Sequence, residues 1–165
     1  MKYKLFKNLI AFGIFLGLSF SVNCEEQTGW CFNNTTQQVF YMFEGIEIDA
    51  EPVEELDVIG AFLDDICVGW FYADPAGFTT LAVMGYDNSD YSEGYPLPGD
   101  VPELYIYDSS EDAILNFIPS EELSGFSNNE IYIISGISYA NNTLGCEDES
   151  ACNFDEFATS DDGSC

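Results

Sequence analysis

Beyond Lys7 the 165-residue chain has no lysine, arginine or histidine, and all thirty of its aspartates and glutamates lie beyond that point. Whatever core this chain builds, no side-chain cation answers its carboxylates, so metal cations remain as the available counter-charge. The same absence restricts chemistry. A Ser-His-Asp triad or Cys-His pair has no imidazole, and catalytic zinc loses its usual ligand. Phosphoryl transfer lacks lysine and arginine, and phosphate backbones cannot be neutralised. Nucleic acid and anionic membrane surfaces are therefore excluded as partners, and no catalytic residue is predicted.

So much charge does not by itself forbid folding. A chain of roughly 15 kDa exposes about 7,000 Å² when folded. Thirty carboxylates spread evenly over it would stand about 15 Å apart, nearly two Debye lengths at physiological salt. The sequence instead gathers them, at Glu47 to Asp57, Asp87 to Glu93, Asp108 to Asp112 and Glu147 to Asp162. Such clusters of hard oxygen donors favour calcium.

The N-terminus reads as a secretory signal, assigned to residues 1–23. Lys2, Lys4 and Lys7 form a basic start, and Leu9 to Phe20 run apolar without charge. About a dozen residues is too short to cross a bilayer. Small residues at Ser19 and Ser21 suit cleavage after Ser21 or Asn23. Lipid attachment at Cys24, which precedes Glu25 and Glu26, is the competing reading for a secreted or cell-surface chain.

Roughly 140 residues remain, enough for one domain with its own core. Nearly half of the chain is hydrophobic and 16% is aromatic, which sets it apart from disordered acidic polymers. Strand-like runs occupy Gln38 to Ile48, Leu56 to Phe62, Ile66 to Tyr72, Phe78 to Tyr86, Pro102 to Asp108, Ala113 to Ile118 and Glu130 to Ser138. Asp64 and Asp65 form a tight turn before Ile66, and period-2 alternation would put Ile66, Val68, Trp70 and Tyr72 on one face. About seven short strands and no helical period predict an all-β fold, an antiparallel β-sandwich over residues 24–140. The segment 141–165 is then a hinge followed by a short acidic tail with three cysteines.

Six cysteines in a secreted chain predict disulfides, in fifteen formal connectivities. Cys24, Cys31 and Cys67 lie in the head, and Cys146, Cys152 and Cys165 in the tail. Three is odd on each side, so a fully oxidised monomer needs a bridge from head to tail; otherwise a thiol is free, lipidated or paired between chains.

The candidate metal ligands of the head lie in and near one long loop. Asp87, Asn88 and Asp90 stand within it, Asp100 closes it, and Asp108 is a donor that returns nearby. Tyr86, Tyr91 and Tyr95 flank the same loop as a candidate sugar-stacking platform. Asn33, Asn34 and Asn141 each begin an Asn-x-Thr sequon.

The tail reads Gly145-Cys146, then Asp148, Ala151-Cys152-Asn153-Phe154, Ala158 and Asp161-Asp162-Gly163-Ser164-Cys165. It resembles one unit of an acidic cysteine repeat, often found in tandem, in secreted proteins of aquatic bacteria and some microbial eukaryotes. These units are similar in flavour to the calcium repeats of thrombospondin type 3, which implies calcium at Asp148, Asp155, Asp161 and Asp162. The head, through Asp57-Val58-Ile59-Gly60-Ala61-Phe62, Cys67-Val68-Gly69-Trp70, Gly85-Tyr86-Asp87-Asn88, Gly94-Tyr95 and Tyr107-Asp108, is similar to secreted modules of marine Bacteroidetes surface proteins. That resemblance implies a β-sandwich, with Gly60 and Gly69 allowing close backbone approach across a hairpin.

The reading is a secreted, non-catalytic surface or adhesion module stabilised by calcium. Its partner is an extracellular glycan or protein. The alternative is a self-assembling subunit of an extracellular filament or matrix, and a carbohydrate-binding module is a third option.

Overall fold

The computed structural model describes residues 22–141, 144–146, 150–154, 160–161 and 164–165. All of its regular elements except one 3-10 turn are strands. A small N-terminal hairpin pairs β1 (Val22–Cys24) with β2 (Cys31–Asn33), closed by a Cys24–Cys31 disulfide. That bond occupies the sulfur a lipid would need. It also draws Val22 and Asn23 into a strand, although both fall in the span assigned to the signal; residues 1–21 of that span lie outside the described residues.

The longest strand, β3 (Gln38–Ile48), organises the first sheet. Its odd residues Val39, Tyr41 and Phe43 are fully buried while Phe40 and Met42 are only half-buried, the alternation a pleated strand demands. On one side β3 pairs with β7 (Thr79–Met84) and the short β4 (Glu51–Pro52), both antiparallel. On the other it pairs with β10 (Ile131–Ala140) in parallel. The all-β fold with antiparallel sheets expected from the sequence is present, and this sheet adds one parallel pair to it. Between β3 and β10 the chain builds an entire second sheet, so no hairpin turn dictates the direction of its return.

That second sheet is antiparallel, in the order β6-β5-β8-β9, from β5 (Val58–Leu63), β6 (Ile66–Tyr72), β8 (Glu103–Asp108) and β9 (Ala113–Asn116). The two four-stranded sheets bury one apolar core, an arrangement compatible with a sandwich. Tyr41, Phe43 and Leu81 from the first sheet and Ile59, Val68, Ile106 and Leu115 from the second are almost wholly inaccessible. Each contributes about 1.5–3 kcal/mol relative to exposure.

In β6 the register slips between Gly69 and Cys67 opposite Ala61 and Phe62. The bulge interrupts the alternation. Val68 is fully buried while Ile66 and Tyr72 are exposed, so the predicted single face does not form.

Both glycines of the hairpin do permit close approach, but not to each other. A β-carbon on Gly69 would fall 2.1 Å from the carbonyl oxygen of Ala82 in β7, and one on Gly60 would fall 2.6 Å from the Trp30 ring. The first brings β6 against β7; the second seats the N-terminal hairpin over the outer face of the second sheet. Phe32 on Trp70 (6.4 Å between ring centres) and a Trp70 Nε1 bond to the Asn23 carbonyl (3.2 Å) complete that seat.

In the tail, β11 (Leu144–Gly145) and β12 (Ser160–Asp161) pair in parallel, and Cys146 is bonded to Cys165. Asn153 Nδ2 donates to the Ser164 carbonyl (3.0 Å) and hydroxyl (2.9 Å). The disulfide assignment of Cys67 and Cys152 is thereby corrected. One bridge forms within the head and one within the tail, leaving a buried Cys67 thiol and an exposed Cys152. Cys67 sits in the bulge with its Sγ donating to the Gly69 carbonyl (3.7 Å), and burial pushes its pKa up to about 11.

Candidate functional site: an acidic loop cleft and an open strand

The loop between β7 and β8 is anchored at both ends. Gly85 N–H donates to Gln37 O (2.8 Å), Tyr86 N–H to Pro96 O (3.0 Å), and Phe126 N–H to Asp100 O (2.7 Å). Within it Asp87 is a hub. Its Oδ1 accepts from the Ser89 amide (3.2 Å), from the Ser89 hydroxyl and from the Ser92 hydroxyl (2.9 Å). Its Oδ2 accepts from the Thr36 amide (3.0 Å) and hydroxyl (3.3 Å). The Ser89 hydroxyl bond, with the Thr36 and Ser92 donors, holds this carboxyl well below the ordinary range despite partial burial. Asp87 therefore spends one oxygen on its own loop and the other on Thr36, between β2 and β3.

The other predicted ligands separate. Asn88, Asp90 and Asp100 line one cleft of about 560 Å³, together with Glu93 and with Asp64 from the β5–β6 turn. Asp100 also accepts from the Leu97 amide at 2.8 Å. Asp108 belongs elsewhere, at the far end of β8, roughly 16 Å along the strand from Glu103. There its Oδ1 accepts from the Ser110 amide (2.9 Å) and hydroxyl (2.8 Å) and caps the β8–β9 turn. Among the described residues no three acidic, histidine or cysteine side chains converge closely enough to hold a metal ion as they stand. In the tail, Asp148, Asp155 and Asp162 lie outside the described residues, and Asp161 is placed by its backbone in β12.

The tyrosine platform does not assemble as one surface. Tyr95 is buried, and its hydroxyl accepts from the Asn33 amide at 2.8 Å. Tyr86 is exposed on the cleft wall, and Tyr91 is exposed beside the carbonyl that receives Asn33 Nδ2 (3.4 Å).

Two carboxylates that the sequence did not single out as site residues are the most buried among the described residues. Asp57 is 2% exposed; its Oδ2 accepts from the Glu54 amide (2.7 Å), and its Oδ1 from the Ser109 amide (2.9 Å) and hydroxyl (2.8 Å). Glu25 is likewise 2% exposed, inside the loop that Cys24 and Cys31 close. Burial alone would raise its pKa, but hydrogen bonds from Thr28, Gln27 and Tyr72 outweigh that and lower it. Beyond Lys7, where no basic side chain remains, amides and hydroxyls satisfy the buried acids. The Thr28-Gly29 turn after Glu25 was the one local signal available.

The outer face of the first sheet carries a row of large apolar side chains on β10. Ile131, Ile133, Ile137 and Tyr139 are 58%, 60%, 54% and 42% exposed. Phe40 N–H donates to Glu130 O (3.0 Å), so the even residues of this half of β10 bond to β3. Ile131 and Ile133 accordingly turn their N–H and C=O groups to the strand's other side. Beyond the register shift that side is covered, with Tyr139 and Ile118 exchanging both backbone bonds (2.8 and 2.9 Å). No charged residue interrupts β10.

Compared with protein families, curated proteins and solved structures, the chain matches none. No helix among the described residues is long and apolar enough to cross a membrane. The two disulfides fit an oxidising compartment outside the cytoplasm.

Proposed function

We propose that the chain is a secreted, non-catalytic surface or adhesion module that engages a partner protein through β10, with calcium supporting its acidic loops. The observation that carries this reading is the row Ile131, Ile133, Ile137 and Tyr139, an apolar face left uncovered on an otherwise strongly anionic chain. Contiguous apolar surface of this kind marks interaction sites. Aliphatic side chains offer no hydrogen bonds to sugar hydroxyls, which favours protein over glycan as the partner.

A second reading, a filament or matrix subunit, draws on the same strand. The outward backbone groups of Ile131 and Ile133 are a template for strand addition. Electron microscopy and size-exclusion chromatography of the purified protein, with and without calcium, separate the two. The adhesion reading expects a monomer in both conditions, and retention on envelopes of the producing cells that an Ile131→Glu/Ile133→Glu variant loses. Calcium-dependent filaments abolished by the same variant would establish the structural role instead.

A further inference from the structure

A separate cleft on the opposite sheet carries chemistry of its own. Its volume is about 520 Å³, and its walls include Trp30 from the N-terminal hairpin, Phe62 from β5 and Tyr105 from β8. Phe62 stands at the centre, 5.3 Å from Trp30 and 5.5 Å from Tyr105, with both neighbours turned 80° to its plane. The three rings pack edge to face against one another, so a guest meets them from the open side of the cleft, where Phe62 and Tyr105 are the more exposed and Trp30 the more buried.

The rim is acidic. Asp64 and Asp65 come from the β5–β6 turn, and Glu103 stands at the start of β8, where its Oε2 accepts from the Tyr105 hydroxyl at 3.2 Å. No lysine, arginine or histidine follows Lys7 to neutralise these groups. The aromatic cluster is held from the hairpin side. Trp30 reaches it because Cys24–Cys31 closes the hairpin and because residue 60 has no β-carbon to obstruct the indole.

We infer that this cleft binds an organic cation, an alkylammonium group of the kind carried by choline or by a methylated lysine side chain. A positive charge beside aromatic rings is attracted by their quadrupoles, and the methyl groups around a quaternary nitrogen can lie against ring surface that a hydrated metal ion would not contact. The three carboxylates raise the local concentration of cations and neutralise the guest. A free small molecule and a modified side chain present the same chemistry here.

The test is a titration of the full secreted chain with choline, followed through the two indole N–H resonances at constant ionic strength. Its neutral isostere 3,3-dimethylbutan-1-ol and trimethyllysine in a short peptide are run alongside. The Trp30 signal should move saturably with choline and with the peptide, and hardly at all with the alcohol. Glu103→Gln, at an exposed position, should weaken choline by roughly three- to tenfold, as should Tyr105→Leu, the range expected for one lost contact at a partly exposed site. If Tyr105→Leu fails to fold, Glu103→Gln and the neutral isostere still decide the matter. Equal shifts with choline and the alcohol, no saturable shift, or wild-type affinity in Glu103→Gln would overturn the proposal. Saturation by the peptide alone would assign the site to a modified protein rather than a free cation.

Discussion

The indole of Trp30 fills the space that a side chain on Gly60 would need, with only 2.6 Å between the ring and a β-carbon built there. The sheet position and the hairpin are thus fitted to one another. Replacing Gly60 by alanine overpacks this contact, and urea unfolding should register a loss of about 1–3 kcal/mol. Gly69→Ala, which drives a methyl group into the Ala82 backbone, should cost at least as much, since backbone yields less readily than a side chain.

The Cys24–Cys31 bridge closes a short loop, with a sequence separation of 7. Loop-closure entropy for such a ring predicts that Cys24→Ala/Cys31→Ala loses about 2.5 kcal/mol. Trp30 and the Trp70–Asn23 bond depend on that hairpin, so a red shift in tryptophan emission should precede global unfolding in the variant.

Asp87 contributes in a pH-dependent way. Its folded pKa is depressed, so its stabilisation is complete above the ordinary carboxylate range and is lost as pH falls through the lowered value. Asp87→Asn should lose about 1 kcal/mol near neutrality, a modest figure because the group is partly exposed. The gap between variant and wild type should shrink as the solution is acidified. A gap that widens on acidification would contradict the hydrogen-bond account.

Cys67 should behave as an inert core thiol. With its pKa pushed up to about 11 by burial, iodoacetamide at pH near 8 should leave it unmodified in the native protein and label it only in denaturant. Exposed Cys152 should label at once. Peptide mapping that finds a Cys67–Cys152 bridge would refute the two-disulfide arrangement.

Much of the head was legible in the sequence. The run Gln38 to Ile48 and the run Ile66 to Tyr72 are strands with those bounds, because β-branched and aromatic residues between turn signals leave little alternative. The parallel return of β10 was not legible, since strand direction across a whole intervening sheet leaves no local trace. Nor was the bulge at Cys67, which depends on the partner strand. The acidic loop was located correctly, but Asp87 and Asp108 are occupied by nearby amides and hydroxyls, and sequence spacing cannot say which carboxylates keep their oxygens for a ligand. Trp30, Phe62 and Tyr105 share a cleft only through tertiary contact.

Calcium dependence is the most direct test of a chain whose acids, past Lys7, face no basic side chain. Thermal unfolding should be followed from calcium-free buffer to about 10 mM calcium, the upper reach of extracellular calcium modules, with sodium chloride holding ionic strength constant. At ten times the dissociation constant the stabilisation should be about 1.4 kcal/mol, a rise in Tm of roughly 4 °C that continues with the logarithm of the calcium concentration. Superimposable melting curves with and without calcium would contradict the account.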